Sequence, residues 1–189
     1  KFDVRVCEDP FILDSSAALQ RYDVIILTMF NAHFPTISDQ AKENLIQFIN
    51  EGKGFVVCHL ATASFKEWDE FKTICGRVWV MGTSGHNPRS QFDAKVVNKE
   101  HPITKGIEDF KIFDELYAKL QGDSEITVLV EADSDFSNKT EPLCFIKEYG
   151  KGRVFNTAFG HDYKAIKHET YKKILTRGCE WAATGNVTE

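Results

Sequence analysis

Two short apolar runs separated by one amphipathic segment constrain the fold of this chain more than any other feature. Residues 23–28 and 54–58 are rich in Val, Ile, Leu and Phe, as strands buried on both faces of a parallel sheet usually are. Between them, Ser38 is a suitable N-cap, apolar side chains recur at helical spacing, and Gly52 is placed to end a helix. We therefore predict an α/β fold with right-handed crossovers and a mainly parallel sheet, covered by helices on both faces.

The rest of the chain predicts further elements, with an antiparallel pair near its C-terminal end. Residues 2–7 alternate in polarity and predict a strand; such a strand usually pairs with a preceding one, so we expect an upstream first strand to be missing from this sequence. A glycine-rich turn at 149–152 favours an antiparallel hairpin, and no linker-like segment divides residues 1–189 into domains. The remaining predicted elements are helices over 15–21, 67–75 and 169–183, and strands over 92–97, 126–131, 143–147 and 153–157.

Composition excludes several classes of protein. The chain has 23 basic and 28 acidic side chains, a net charge of -5, and no block of Lys or Arg that would neutralise a run of phosphates, so nucleic acid is not an expected partner. No apolar run approaches the roughly 20 residues of a membrane-spanning helix. The five cysteines follow no metal-binding or redox spacing and are expected to be mostly buried thiols.

Two histidines come directly after predicted strands, where open α/β sheets bind their ligands. His59 follows the strand at 54–58, and His161 follows the strand at 153–157. Gly160 precedes His161 and allows the backbone to turn sharply and approach a ligand closely. We therefore predict that both histidines are general acid–base residues or metal ligands; the alternative for each is an ordinary structural histidine.

Other polar residues are candidates for the same site. His86 lies in a polar, glycine-rich loop, and it and Thr62, just beyond His59, are candidate substrate contacts. Asp114 and Glu115 are candidate catalytic carboxylates. As neighbours opening a strand-like segment they point to opposite faces, so only one of them can line a pocket. Such a carboxylate can act as an acid or base, orient a histidine or complete a metal site; the alternative is a solvated charge.

Cys58 and His101 each have a chemical and a structural interpretation. A thiol at a strand exit beside His59 is where some α/β enzymes hold a nucleophile, but a strand buried on both faces would make Cys58 an inert core residue. His101 precedes a proline and is expected to hydrogen-bond within its own turn. Serine-hydrolase, dinucleotide-binding and phosphate-loop motifs are absent from the sequence.

Several motifs together resemble the ThuA-like (trehalose utilisation) domain family, almost from end to end. They are residues 22–27, residues 48–54 leading to His59, residues 82–86, His101-Pro-Ile-Thr104, Asp114-Glu115-Leu-Tyr117, Pro142, and residues 149–154 leading to Gly160-His161. The resemblance implies a flavodoxin-like sheet of the class I glutamine amidotransferase-like superfamily and a role in bacterial use of trehalose or other glycosides. The positions that match the polar pocket of the family are His59, His86, His161 and either Asp114 or Glu115.

The resemblance also bears on the N-terminal segment and on Cys58. The family usually begins with a strand and a loop containing Gly and His before the position of Phe2, so some pocket residues are expected to lie outside this sequence. The resemblance also places Cys58 where amidotransferases and DJ-1/PfpI proteins keep a catalytic cysteine, although ThuA-like domains are not built around that thiol.

We therefore predict a carbohydrate-processing enzyme, a glycoside hydrolase or a lyase-like enzyme acting on disaccharides or oxidised sugars by histidine and carboxylate chemistry. Two alternatives remain open: a noncatalytic sugar-binding module of a larger protein, and a thiol enzyme that uses Cys58. The expected partner is a small carbohydrate; a divalent metal cofactor and homo-oligomerisation are both compatible with the sequence. The bacterial cytoplasm and periplasm both remain open as locations, since no targeting segment is visible.

Overall fold

The computed structural model describes residues 2–30 and 37–188. The strands are β1 (Val24–Leu27), β2 (Gly54–Cys58), β3 (Gly85–His86), β4 (Ser90–Val96), β5 (Phe110–Asp114), β6 (Tyr117–Ala118), β7 (Thr127–Ser134), β8 (Lys139–Tyr149) and β9 (Gly152–Thr157). The α-helices are α1 (Ser16–Leu19), α2 (Asp39–Asn50), α3 (Asp69–Cys75), α4 (Tyr163–Ile166) and α5 (Glu169–Thr184), and short 3-10 helices cover Pro10–Asp14 and His59–Ala63. Within the described ranges, no helix combines the length and apolar character that a membrane span requires.

Seven of these strands form one mixed sheet in the order β1-β2-β9-β8-β7-β4-β5. The strands β1, β2 and β9 are parallel, and we call them the parallel half of the sheet. Each later neighbour in that order runs antiparallel to the one before it, so β8, β7, β4 and β5 form the antiparallel half. The strands β3 and β6 pair antiparallel in a separate two-stranded ribbon.

The α/β class is confirmed, as is the antiparallel pair near the C-terminal end. The strands β8 and β9 are joined through the predicted turn, with Tyr149 paired to Gly152. Antiparallel pairing extends further than the sequence predicted, because β4, β5 and β7 also run antiparallel to their neighbours. Strands joined by short loops, such as β7 and β8, have no crossover helix between them and must therefore run antiparallel. Among the described strands, the parallel arrangement is thus confined to β1, β2 and β9.

Helices cover both faces of the parallel half, as the two-sided apolar pattern of β2 requires. Val56 faces one core, where it packs with Ile174 of α5. Its neighbours Phe55 and Val57 face the opposite core, with Leu45 of α2. Successive side chains of a strand point to opposite faces, so β2 is buried from both sides and its chain can reach solvent only at its ends.

The predicted start and end of α2 are confirmed. The Ser38 hydroxyl accepts a hydrogen bond from the Ala41 backbone N–H at 3.0 Å, and Asp39 lies in the first turn. The helix ends at Asn50, and Gly52 follows with a φ of +109° that favours glycine. These local signals place β2 immediately after the helix and thereby set the position of the strand exit.

The predicted strand at residues 2–7 is not formed. The segment makes no ladder with any described residue, and the side chains of Val4 and Val6 are 64% and 86% exposed. Alternating polarity predicts a half-buried strand only where a neighbouring backbone can pair with it. Here Arg5 and Cys7 instead line a cavity of about 180 Å³ together with residues of the edge strand β1.

Candidate functional site

His59 lies at the exit of β2, in a tight turn. The strand ends at Cys58, and His59 begins the 3-10 turn with a φ of +49°. Residues other than glycine adopt this left-handed region infrequently, and strained backbone is common at functional sites. The Thr62 hydroxyl donates to the His59 carbonyl at 2.8 Å and stabilises the turn. Thr62, predicted as a substrate contact, is itself fully buried, with its hydroxyl engaged in this bond.

Both ring nitrogens of His59 have defined partners. Nδ1 lies 2.7 Å from the Ala158 carbonyl, which can only accept, so Nδ1 carries the proton and donates it. Nε2 is then the acceptor, and the Tyr117 hydroxyl donates to it at 3.0 Å while the two rings stack. Burial lowers the pKa of His59 even though the carboxylate of Glu115 acts in the opposite direction. The imidazole is therefore neutral at physiological pH, with a basic Nε2.

His161 lies at the exit of β9, the parallel neighbour of β2. Gly160, with a φ of +117°, turns the chain just before it. The backbone N–H groups of Gly160 and His161 donate to the Asp114 carboxylate at 2.8 Å and 3.1 Å. The ring centroids of His161 and His59 are 5.5 Å apart. Because neighbouring parallel strands end at the same edge of a sheet, the two imidazoles meet there as predicted.

Asp114 and Glu115 face different ways, as expected for neighbours in an extended segment. The sequence indicated that they open a strand, but Asp114 closes β5 and Glu115 follows it. Asp114 is only 1% exposed, and its carboxylate accepts three backbone N–H groups, from Glu115, Gly160 and His161. Burial raises the pKa of Asp114, while these hydrogen bonds act to lower it. Asp114 therefore joins β5 to the exit of β9, and Glu115 reaches the histidines.

The Glu115 carboxylate lies among three imidazoles. Its Oε2 is 3.1 Å from His161 Nδ1 and 3.5 Å from His59 Nε2. Its Oε1 is 3.9 Å from His86 Nε2. The side chains of His59 and Glu115 are 10% and 15% exposed, whereas those of His161 and His86 are 35% and 38% exposed. The cluster is therefore closed behind His59 and accessible to solvent past His161 and His86.

His86 and two aromatic side chains form one wall of the cluster. His86 lies in β3, opposite Tyr117 of β6, and its Nδ1 donates to the Asn87 carbonyl at 2.8 Å, which directs Nε2 towards Glu115. The Trp79 ring packs 4.7 Å from the Tyr117 ring and 6.0 Å from the His86 ring. The ribbon of β3 and β6 therefore holds His86 beside the other candidate residues.

Tyr117 is a further polar member of the cluster, and its hydrogen bond to His59 was not predicted from the sequence. Burial raises the pKa of its phenol, so the hydroxyl remains a hydrogen-bond donor to His59. Two signals in the sequence point to this role. Tyr117 follows Glu115 by two residues, so an extended backbone places both on one face. A buried tyrosine hydroxyl also usually requires a polar partner.

Cys58 is directed towards the core rather than towards the cluster. Its side chain packs against the apolar cluster that includes Val56, Phe155 and Cys179. Burial raises the pKa of the Cys58 thiol well above its ordinary value. The thiolate form that a nucleophile requires is therefore negligible at neutral pH.

The cluster offers two kinds of chemistry. One imidazole nitrogen each from His59 and His161 and one oxygen of Glu115 lie within 4.8 Å of one another, so they are spaced to hold a metal ion. The same groups are also the usual residues of general acid–base catalysis.

Comparisons with known proteins agree with the fold. A ThuA-like protein from Parabacteroides merdae ATCC 43184 is 27% identical, with a TM-score of 0.80 over 90% of this chain and 74% of that one. A ThuA-like protein from Bacteroides uniformis ATCC 8492 is 20% identical, with a TM-score of 0.73 over 96% of this chain and 78% of that one. No curated protein matches the chain. Residues 1–182 match the family described as "ThuA: Trehalose utilisation", a description that refers to carbohydrate metabolism. The chain therefore belongs to the ThuA family.

Proposed function

We propose that this protein is a carbohydrate-processing enzyme that uses His59, His161 and Glu115 for acid–base chemistry on a disaccharide or glycoside. The observation that carries the proposal is the meeting of these three side chains, which follow the ends of three separate strands, at one accessible edge of the sheet. This edge is where open α/β sheets generally bind their ligands. The family's link to trehalose utilisation supports a sugar as the substrate.

His59 is suited to accept a proton. Its lowered pKa keeps it neutral, and its bond to the Ala158 carbonyl fixes the ring and the tautomer. Because the Tyr117 hydroxyl occupies Nε2, a substrate proton reaches His59 through that hydroxyl. Tyr117 gives its own proton to Nε2 and takes one from the substrate, so the phenol is regenerated within the same step.

His161 is suited to return a proton to the departing oxygen of the sugar. Its Nδ1 faces the Glu115 carboxylate at 3.1 Å, which orients the ring. The side chain is also 35% exposed, so a bound substrate can reach the opposite edge of the ring. When the ring is protonated, Nε2 can donate to a glycosidic oxygen while Nδ1 stays bonded to Glu115.

The arrangement of the carboxylates favours a reaction on an oxidised sugar over direct hydrolysis of an ordinary glycoside. Glycosidases generally place two carboxyl groups roughly 5–9.5 Å apart across the scissile bond. Here Asp114 is turned into backbone hydrogen bonds, and only Glu115 faces the histidines. Proton removal beside a carbonyl, followed by elimination of a neighbouring glycosidic oxygen, requires one base and one acid. The cluster supplies both, and we therefore favour a lyase-like reaction on a keto sugar.

An aromatic-lined cavity near the cluster is suited to the remainder of such a substrate. The cavity has a volume of about 510 Å³, and Trp68, Phe65 and Trp79 contribute to its lining. Trp79 also packs on Tyr117, so it borders both the cavity and the cluster. Cavities of this size and character commonly hold small molecules, and flat aromatic faces suit the apolar faces of sugar rings.

The architecture supports a finer assignment of the fold. We infer that the parallel half is a flavodoxin-like sheet of the class I glutamine amidotransferase-like superfamily, within one domain over residues 1–189. The parallel pairing of β1, β2 and β9 and the helices on both faces support this assignment. The antiparallel half is then an addition that brings Glu115 to the site.

Turnover of trehalose and of its keto derivative tests the proposal. We expect Glu115→Gln and His161→Ala to lower kcat/KM for the keto sugar by about 100- to 10,000-fold. Both variants should fold, because the first preserves side-chain shape and the second removes a partly exposed ring. The matched control is His101→Gln, since His101 packs on Trp181 and accepts the N–H of Ile103 within its own turn.

The outcomes separate the candidate functions. Unchanged turnover in Glu115→Gln and His161→Ala would contradict the proposal. Binding of sugars without turnover of any of them would instead favour a noncatalytic sugar-binding module. The burial of Cys58 and the raised pKa of its thiol weigh against a thiol enzyme.

A further inference from the structure

We infer that His59 Nε2, His161 Nδ1 and the Glu115 carboxylate bind one divalent transition-metal ion, of which Zn²⁺ fits best, and leave a coordination position open to solvent. Two imidazoles and one carboxylate, with an open position, form a ligand set typical of catalytic zinc sites. The same three ligands also suit other divalent ions of the first transition row. The ion would take the lone pairs of His59 Nε2 and His161 Nδ1, so in the metal-bound form it would replace the proton transfers through these two imidazoles. That role in sugar chemistry rests on the proposed function, whereas binding of the ion does not.

The distances between ligand atoms suit a single ion. Bonds of about 2.1 Å at tetrahedral or octahedral angles place neighbouring ligand atoms about 3.0–3.4 Å apart. Glu115 Oε2 lies 3.1 Å from His161 Nδ1 and 3.5 Å from His59 Nε2, and all three ligand atoms lie within 4.8 Å of one another.

The residues around these ligands are arranged as in known metal sites. A metal-bound histidine usually donates its second ring nitrogen to a backbone carbonyl or a carboxylate, and the Nδ1 of His59 donates to Ala158. The backbone on either side of the site is also fixed. Asp114 accepts the N–H groups of Glu115 and His161, so one buried carboxylate holds the main chain of two ligands.

The charge of the cluster also favours a cation. Asp114 and Glu115 are both buried or nearly so, and no Lys or Arg forms an ion pair with either of them among the described residues. Buried charge is costly unless it is paired or coordinates a metal. A divalent ion bound by Glu115 would offset the charge of that carboxylate.

Tyr117 and His86 border the proposed open position. The Tyr117 hydroxyl donates to the same His59 Nε2 that would bind the ion, so binding of the ion replaces that hydrogen bond. The hydroxyl then lies beside the ion, where it can donate to a metal-bound water or to a sugar oxygen. His86 lies on the solvent side, 3.9 Å from Glu115, and is placed to contact a ligand of the ion. The chemical class that such a site recognises is a polyhydroxy compound with a carbonyl or two adjacent hydroxyl groups.

Direct metal titration tests the inference. The intact chain is freed of metal with a chelator, dialysed, and titrated with Zn²⁺ by calorimetry, and the Co²⁺ form is examined by visible absorption. We expect one Zn²⁺ per chain and Co²⁺ bands typical of nitrogen and oxygen ligands. Glu115→Gln and His161→Ala should each weaken Zn²⁺ binding by at least about 100-fold, since loss of a direct ligand exceeds the 10- to 100-fold effect of outer residues.

Two control variants separate this site from other zinc-binding groups. Cys7→Ser removes the exposed thiol, and His101→Gln removes a histidine outside the cluster; neither should change the affinity. Absence of stoichiometric binding by the wild-type chain would overturn the inference, as would equal affinity in Glu115→Gln and His161→Ala. Intact Zn²⁺ binding without turnover of any sugar would contradict the proposed function alone.

Discussion

The parallel and antiparallel halves of the sheet contribute to the site in different ways. In the parallel half, β2 and β9 end side by side, and each exit delivers a histidine, His59 and His161. In the antiparallel half, the carboxylates come from the end of β5, which lies at the far edge of the sheet. Asp114 nevertheless accepts the N–H of Gly160 at 2.8 Å, so the antiparallel half must curl over to meet the exit of β9. The imidazoles thus follow from local strand geometry, and the carboxylates from the shape of the whole sheet.

The largest expected effect concerns the chemistry of the parallel half and is a difference in labelling rate between its Cys58 thiol and the exposed Cys7 thiol. We predict that this half supplies imidazoles and no nucleophilic thiol. Cys58 should then react with iodoacetamide at pH 7 at least about 100-fold more slowly than the exposed Cys7. The reason is that burial raises the pKa of Cys58. Mass spectrometry of each cysteine over time measures both rates in one sample. Rapid labelling of Cys58 would contradict this prediction and support a thiol enzyme.

The next largest expected effect is on the unfolding free energy, through the hydrogen bonds by which Asp114 joins the two halves. Asp114→Asn retains one oxygen but turns an NH₂ group towards a backbone donor, so we expect a loss of about 2–3 kcal/mol of unfolding free energy. For a chain of this size, that corresponds to a fall in Tm of about 4–12 °C.

Asp109→Asn is the matched control for Asp114→Asn. Among the described residues, Asp109 accepts only the N–H of Val96, within the antiparallel half, and Asn can retain that bond. Its expected cost is below about 1 kcal/mol by calorimetry or denaturant unfolding. Equal losses of unfolding free energy in the two variants would show that the hydrogen bonds between the halves stabilise the fold no more than a bond within one half.

The glycine at the β9 exit has a smaller expected effect. In Gly160→Ala, the added Cβ would lie 3.1 Å from the Tyr171 hydroxyl, and the residue would keep a φ of +117°. We expect a loss of about 2 kcal/mol. Gly106→Ala is the control, because Gly106 also has a positive φ, +70°, but has open space around it. It should cost about 1 kcal/mol, and the difference measures how closely the exit packs on α5.

Much of the parallel half could be predicted from the sequence, because its signals are local. The Ser38 cap, the helical spacing of α2 and the apolar run of β2 lie next to one another, and together they place His59 at a strand exit. His101 was also predicted correctly to bond within its turn, where its Nδ1 accepts the Ile103 N–H at 3.3 Å. Each of these inferences depends on neighbours within a few residues.

The remainder depends on partners far away in sequence. Strand alternation shows that only one of Asp114 and Glu115 can face the histidines. The curl of the sheet decides that this residue is Glu115. The strand predicted at residues 2–7 is absent because alternating polarity cannot show whether a neighbouring backbone is present. The bond between Tyr117 and His59 likewise joins residues 58 positions apart.

A crystal of the intact chain soaked with the keto derivative of trehalose would show whether His59, His161 and Glu115 form one sugar-processing site. We expect sugar density in contact with His161 and Glu115, on the side that His86 and Trp79 border. Sugar bound at another surface, with the cluster in contact only with water, would contradict this expectation.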